Sequence, residues 1–171
     1  LNKQITQFTE GGFYMPRYSH WKEFETQEEF DQIMEKEYQE RLKRYEEYVH
    51  KYQPTDVVKQ YINDMLKADY YKALFSNLNQ FAYTRNQKID IRQYTDKLKD
   101  AALLLDNQTI IESNFGLAEN MYNHLHLLNE RYWKGDQSLT LEEIMEPLKD
   151  TPAIPYIFAR GLSMSLNELN D

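Results

Sequence analysis

The chain has 171 residues, a formal net charge of −8 at pH 7, a sequence pI near 5.1 and no cysteine. These values exclude disulfides, thiolate zinc sites and a cysteine nucleophile, and they argue against a protein that neutralises nucleic-acid phosphates with clustered Lys and Arg. The length fits one domain, which can bury about 70% of its unfolded surface without disulfide or metal staples. With only five Gly and five Pro, long helices are favoured over a sheet with many tight turns.

The first 25 residues form an aromatic segment without a clean periodicity. Gly11, Gly12 and Pro16 interrupt it, and seven aromatic or sulfur-containing side chains crowd it: Phe8, Phe13, Tyr14, Met15, Tyr18, Trp21 and Phe24. We predict an arm that packs along the outside of a helical core, because mixed apolar arms without charge runs are usually tied down. The alternative is an arm that docks on a partner or on a second copy of the chain.

The first long helix is predicted to begin at Thr26. Glu29 follows three residues later, which is the capping-box pattern, and Pro54 ends the helix. Apolar residues recur at a three-and-four spacing: Phe30, Ile33, Met34, Tyr38, Leu42, Tyr45, Val49 and Tyr52. The flanking glutamates favour a solvated ion-pair face over a nucleic-acid contact for the basic cluster in this helix: Arg41, Lys43 and Arg44.

Two more helices are predicted before residue 108. One starts at Thr55-Asp56, and its apolar pattern falters at 67–71, so we expect a kink or two shorter helices there. A polar connection follows at 83–88. A weaker cap, Asp90 with Gln93, then opens a helix that breaks at Asp106-Asn107.

The clearest helix covers Thr109–Trp133, and we expect the chain to be organised around it. Thr109 and Glu112 form a second capping box, and Gly135 suits the left-handed residue that ends a helix. One face is apolar: Ile111, Phe115, Ala118, Tyr122, Leu125, Leu128 and Tyr132. His124 lies nearer this face, so we predict a partly buried histidine whose hydrogen bonds are satisfied.

A second face of the same helix carries Glu119, Asn123, His126 and Glu130. These residues could be half of a metal or acid–base site. A solvated face with a His–Glu pair four residues apart is the interpretation we prefer. The Glu-x-x-His pair of di-iron bundles is absent because Tyr122 stands three residues after Glu119. We therefore predict no metal and no cofactor.

The C-terminal segment begins with a third capping box, Thr140 with Glu143. Pro155 suits the first turn of a last helix. That helix has five apolar side chains available for burial: Ile157, Phe158, Leu162, Leu166 and Leu169. The segment either packs on the core or docks as a peptide on a partner.

These patterns predict an all-α fold: an antiparallel bundle of five or six helices with an aromatic N-terminal arm. We expect a single domain made of the arm (1–25), a helical core (26–135) and a C-terminal helical segment packed on that core (136–171). The 14 tyrosines, against 8 phenylalanines, are consistent with a tyrosine-rich interface and equally with a coding bias.

For function, the sequence has no Gly-rich phosphate loop, no Gly-x-Ser-x-Gly elbow and no His-Glu-x-x-His. We predict a non-enzymatic interaction module, an acidic adaptor, inhibitor or immunity-type protein whose partner is another protein with a basic surface and not a nucleic acid. From Glu112 onward only four residues are basic: Arg131, Lys134, Lys149 and Arg160. The candidate partner-binding residues are Trp133, Glu142, Glu143, Glu146, Tyr156 and Phe158.

Two alternatives remain open. One is the exposed domain of a membrane-anchored or secreted bacterial-type surface protein, suggested by the start at Leu1 and the lack of cysteine. The other is a metal-binding enzyme that uses helix 109–133. The longest apolar run, Ala101–Leu105, is too short to span a bilayer. The compartment, with the cytoplasm favoured, and the oligomeric state are left open.

Overall fold

The computed structural model describes residues 2–15, 17–107, 110 and 116–168. This part of the chain is all-α, as predicted, and its only extended pairing is an isolated parallel bridge between Ile89 and Trp133. The first four helices are α1 (Asn2–Glu10), α2 (Gln27–Tyr52), α3 (Asp56–Arg85) and α4 (Thr95–Leu104). The next three are α5 (Gly116–Arg131), α6 (Leu141–Met145) and α7 (Ala153–Glu168). Three short 3₁₀ segments complete the list: Trp21–Glu23, Ile91–Tyr94 and Glu146–Leu148.

The described helices number seven rather than five or six, because the N-terminal segment forms a helix of its own, α1. The capping box expected at Thr109 and Glu112 lies outside the described residues.

The chain forms two compact units, Leu1–Tyr70 and Tyr71–Asp171, and α3 contributes residues to both. This division coincides with neither of the boundaries expected at residues 25 and 135. The single-domain organisation stays a prediction.

In the first unit, α2 and the first half of α3 form an antiparallel pair. Thr26 Oγ1 accepts the N–H of Glu29 at 3.1 Å, which starts α2 as predicted. Gln53, with φ 45°, ends it in the left-handed conformation. The Tyr45 hydroxyl then donates to the carbonyl of Lys59 at 3.1 Å. Pairing the end of one helix with the start of the next is the expected result of a connection of only three residues.

The N-terminal arm packs against α2 and α3 through α1. Phe8 of α1 is fully buried in a core cluster with Tyr48, Val58, Ile62 and Leu66. The Tyr48 hydroxyl donates to the carbonyl of Gln4 at 2.8 Å. The physical reason is that aromatic side chains bury the most apolar area per residue, so a segment this aromatic is stabilised by entering the core.

Arg41 is not part of a solvated ion-pair face. Its side chain is buried, and its guanidinium donates to the carbonyls of Met15 at 3.2 Å, of Glu37 at 3.1 Å and of Arg17. It also lies 3.5 Å above the ring of Tyr18. The guanidinium therefore supplies hydrogen bonds to the backbone carbonyls of Met15 and Arg17, which lie outside any helix and have no helical partners.

In the second unit, the later part of α3 runs parallel to α5, which an all-antiparallel arrangement does not include. The Asn120 amide donates to the carbonyl of Lys72 at 3.2 Å, and the rings of Phe75 and His124 lie 4.8 Å apart. Contacts therefore advance in the same direction along both helices. The Ile89–Trp133 bridge just beyond their ends is parallel too.

The split into two shorter helices considered at 67–71 does not occur, because α3 is one continuous helix from Asp56 to Arg85. The apolar pattern falters there for another reason. Before residue 67 the buried apolar side chains, Val58, Ile62 and Leu66, are spaced by one helical turn. After it, several neighbouring side chains are buried and cover more than one face: Ala68, Tyr70, Tyr71, Leu74 and Phe75.

Candidate functional site

The outward side of α7 is apolar. Seven large apolar side chains are exposed in the described part of the chain, and three of them belong to this helix: Tyr156 (43% exposed), Phe158 (46%) and Leu162 (65%). Phe158 and Leu162 stand one helical turn apart and therefore share a face. Leu162, which we expected to be buried, is the most exposed of the three. Tyr156, two residues before Phe158, lies on a different side of the helix. We call these three exposed side chains the α7 surface.

The inward side of the same helix is apolar as well. Ala153, Ile157 and Gly161 are buried. Gly161 lies against Tyr122 of α5: a Cβ at this position would be 2.6 Å from a ring carbon of Tyr122. A helix that is apolar on both sides is normally covered on both sides. Here one side is covered and the other faces solvent.

A small apolar groove adjoins the α7 surface. Its walls come from three helices, and it encloses about 60 Å³, roughly the volume share of two water molecules in the liquid. Residues of α5, α6 and α7 line it: Tyr122, Leu125, His126, Ile144, Met145, Ile157 and Phe158. It can accept the tip of one apolar side chain and is too small for a cofactor.

Three acidic residues, Glu142, Glu143 and Glu146, lie on α6 or directly after it, close in sequence to the groove-lining Ile144 and Met145. The start of α6 is the predicted capping box: Thr140 Oγ1 accepts the N–H of Glu143 at 3.2 Å, and the Glu143 carboxylate accepts the N–H of Thr140 at 2.8 Å. These bonds lower the pKa of Glu143 and give it a structural role. Glu146 pairs with Lys149 at 2.5 Å, and Glu142 is exposed.

Trp133 has a structural position. The ring is buried, its Nε1 donates to the carbonyl of Gln137 at 2.5 Å, and the guanidinium of Arg92 lies 4.8 Å from the ring centroid. The indole holds the 132–140 loop, so it has little surface to offer a partner. Asn129 anchors the same loop through two 3.0 Å bonds with the backbone of Leu139.

Of the polar face predicted on α5, only His126 and Glu130 contact each other. His126 Nε2 lies 3.4 Å from a carboxylate oxygen of Glu130, and both side chains are exposed. Glu119 and Asn123 are half-buried. Among the described residues no three His, Asp or Glu side chains are placed to hold a metal ion. The ring of His126 instead lies 5.3 Å from that of Tyr122, as part of the groove wall.

His124 is buried, as expected, but its hydrogen bonds are not satisfied. Its ring lies 4.8 Å from Phe75 and 5.6 Å from Tyr94, and its Nδ1 has no hydrogen-bond partner. Burial lowers the pKa of His124 to about 3. The imidazole is therefore neutral at pH 7 and acts as a flat member of an aromatic cluster.

Part of this site could be identified from the sequence, and another part could not. Tyr156 and Phe158 were identified because Ile154–Phe158 is the most apolar piece of the C-terminal segment. Leu162, Tyr122 and His126 were missed as contributors. Their common feature is proximity across the α5–α7 contact, and residues so far apart in the sequence carry no local signal of that proximity.

We compared the chain with models of protein families, with curated proteins and with solved structures, and none of the three comparisons found a match. The described helices include none whose length and apolar content would let it cross a bilayer.

Proposed function

We propose that this protein is a non-enzymatic interaction module that binds another protein through the α7 surface and its adjoining groove. One observation carries the proposal: three of the seven exposed large apolar side chains lie on α7, a helix of 16 residues. Exposed apolar patches with polar rims are typical of protein–protein interaction sites.

The charge around this surface favours a basic partner. Residues 130–168 contain seven acidic and four basic side chains. Glu142 and Glu146, on and next to α6, are exposed and stand within two residues of the groove-lining Ile144 and Met145. Lys and Arg on a partner would be attracted to these carboxylates, which speeds association and selects among partners. Two copies of the same acidic surface would repel each other, so a second copy of this chain is the less favoured occupant.

The shape favours an amphipathic helix. Phe158 and Leu162 present two apolar side chains one turn apart, and the groove beside them accepts one side-chain tip. A helix that places apolar residues at three-and-four spacing could cover this surface and insert one of them. Its polar edge would then carry the Lys and Arg that face Glu142 and Glu146. That all the helices pack as one bundle stays a prediction for the chain as a whole.

Fluorescence anisotropy with labelled synthetic peptides tests the proposal. The probe is a 14-residue Lys/Leu amphipathic helix, and the comparison peptides are a scrambled sequence of the same composition and a Glu/Leu helix. We expect saturable binding of the Lys/Leu helix, at least tenfold weaker binding of the scrambled peptide and none of the Glu/Leu helix.

The chain contains a matched control. Leu162→Ser removes an exposed leucine from the α7 surface, whereas Leu103→Ser removes a comparably exposed leucine (59% against 65%) from α4. We expect Leu162→Ser to weaken peptide binding at least tenfold and Leu103→Ser to leave it unchanged. Equal effects of the two substitutions, or equal binding of the helical and scrambled peptides, would contradict the proposal.

A further inference from the structure

A second cleft lies where the C-terminal ends of α3 and α5 run side by side. It encloses about 230 Å³, below the volume of a typical drug-sized pocket. Three residues of α3 and three at the end of α5 line it: Asn79, Gln80, Tyr83, Leu128, Arg131 and Tyr132. None of them belongs to the α7 surface, so this cleft is independent of the function proposed above.

The walls of the cleft are held in place by backbone hydrogen bonds. Ile89 donates to the carbonyl of Tyr132 at 2.6 Å, and Lys134 donates to the carbonyl of Ile89 at 3.0 Å. Lys88 Nζ also donates to the carbonyl of Arg131 at 2.5 Å. These bonds tie the segment after α3 to the segment after α5, so a ligand would meet a largely preformed site and lose little affinity to ordering.

The two segments that form this cleft carry a net positive charge, although the chain as a whole is acidic. Residues 79–92 and 128–134 contain five basic and two acidic side chains. Asp90 pairs with Arg92 at 3.0 Å, and Glu130 lies 3.4 Å from the imidazole of His126. Among the described residues no carboxylate lies within ion-pair distance of the exposed Arg131 guanidinium. The guanidinium is therefore available to an anion from outside.

The C-terminal ends of α3 and α5 would by themselves repel an anion, because the last carbonyls of a helix carry partial negative charge. Here several of them are occupied. The carbonyls of Ala82 and Tyr83 accept the N–H groups of Gln87 and Asn86, and the carbonyl of Arg131 accepts Lys88 Nζ. With those dipoles partly neutralised, the full charge of Arg131 dominates the cleft. A cationic ligand would be repelled by it.

The remaining walls select a flat, partly polar ligand. Tyr83, 65% exposed, and the half-buried Tyr132 offer ring faces, and Leu128 is a buried apolar wall. Asn79 Oδ1 is buried and has no hydrogen-bond partner. A buried amide oxygen without a donor is unfavourable. Rotation of the Asn79 amide toward a ligand hydroxyl would relieve this.

From these features we infer a binding site for a small aromatic carboxylate, with the carboxylate on Arg131, the ring between the tyrosines and a hydroxyl near Asn79. Ligands much larger than one substituted ring exceed the cleft. Guanidinium–carboxylate pairing supplies two parallel hydrogen bonds, which fixes the orientation of such a ligand.

The test uses four probes of one size: 4-hydroxybenzoate, benzoate, benzyl alcohol and benzylamine. Binding to the full chain is measured by saturation-transfer NMR and by titration of amide chemical shifts. We expect saturable binding of both carboxylates, with 4-hydroxybenzoate the tighter. Benzyl alcohol should bind at least tenfold more weakly than benzoate, and benzylamine should not bind.

Two substitutions at exposed arginines provide the matched comparison. Arg131→Gln removes the charge from the cleft, whereas Arg17→Gln removes an exposed charge from the first unit. We expect at least a tenfold loss of carboxylate affinity for Arg131→Gln and no loss for Arg17→Gln. The inference is overturned if neither carboxylate saturates, if benzylamine binds as well as benzoate, or if the two arginine variants behave alike.

Discussion

Gly161 of α7 lies directly against the ring of Tyr122 of α5, where a Cβ would approach a ring carbon to 2.6 Å. Two helices can approach this closely only where one of them lacks a side chain. Gly161 and Ile157 are buried on this helix, while Leu162 and part of Phe158 remain exposed. The close contact between Gly161 and Tyr122 is therefore part of the packing that leaves an apolar surface in solvent.

Gly161→Ala should destabilise the protein by about 1–3 kcal/mol, because the added methyl forces Tyr122 or α7 to move. The better helix propensity of alanine offsets at most about 1 kcal/mol of this. Urea unfolding followed by circular dichroism measures the change. Gly116→Ala is the control, since its Cβ would meet only the flexible end of Lys72 at 3.1 Å. A Gly161→Ala variant as stable as Gly116→Ala would show that the helices are not in close contact.

Arg41→Met should cost about 3–5 kcal/mol, since it leaves covered carbonyls such as those of Met15 and Glu37 without their charged donor. Lys43→Met, an exposed position on the same helix, should change stability by about 0.5 kcal/mol or less. Chemical denaturation of both variants decides the point. If the two substitutions cost the same, the hydrogen bonds of Arg41 to Met15 and Arg17 do not stabilise the fold.

Two tyrosines in the first unit should respond oppositely to loss of their hydroxyl. The Tyr14 hydroxyl donates to Asp69 at 2.5 Å, so Tyr14→Phe should destabilise by about 1–2 kcal/mol. The Tyr18 hydroxyl is buried without a partner, so Tyr18→Phe should be neutral or stabilising. Each variant is matched to the other in size and chemistry. Thermal unfolding at pH 7 compares them, and a larger loss for Tyr18→Phe would contradict both assignments.

His124 should make the protein sensitive to acid. Burial lowers its pKa to about 3, whereas the unfolded chain binds this proton near pH 6.5. Between these pH values the unfolded state holds more protons, so stability falls as pH falls, by about 2 kcal/mol at pH 5 from this residue alone. In His124→Leu the dependence of unfolding free energy on pH between 7 and 5 should be shallower. His126→Gln, at an exposed position, should keep the steeper dependence, and the same slope in both variants would exclude His124 as the cause.

The helices themselves could be predicted because their signals are local. The caps at Thr26 and Thr140 act on residues three positions away, and both are present. The three-and-four spacing of apolar residues likewise reports a face of a single helix. The candidate site was predicted only in part, since Tyr156 and Phe158 could be identified by composition while Trp133 proved to be buried.

The predictions that failed concerned which structural element packs against a given face of a helix. Arg41 was assigned to a solvated, charged face, and it is buried. Its burial depends on a non-helical segment that lies 26 positions earlier in the chain at Met15. Similarly, short connections predicted antiparallel neighbours, but α3 also has a parallel neighbour in α5, which lies more than thirty residues further along the chain.

An acidic, cysteine-free chain of amphipathic helices with defined starting points could be read from the residues alone. Hydrogen bonds within a turn and the helical repeat depend only on residues a few positions apart, so those features follow from local chemistry. The packing of the helices, in contrast, is what places Gly161 of α7 against Tyr122 and leaves Phe158 and Leu162 exposed. Periodicity cannot choose between two apolar faces, because the choice is made by the shape of the helix that one of them packs against.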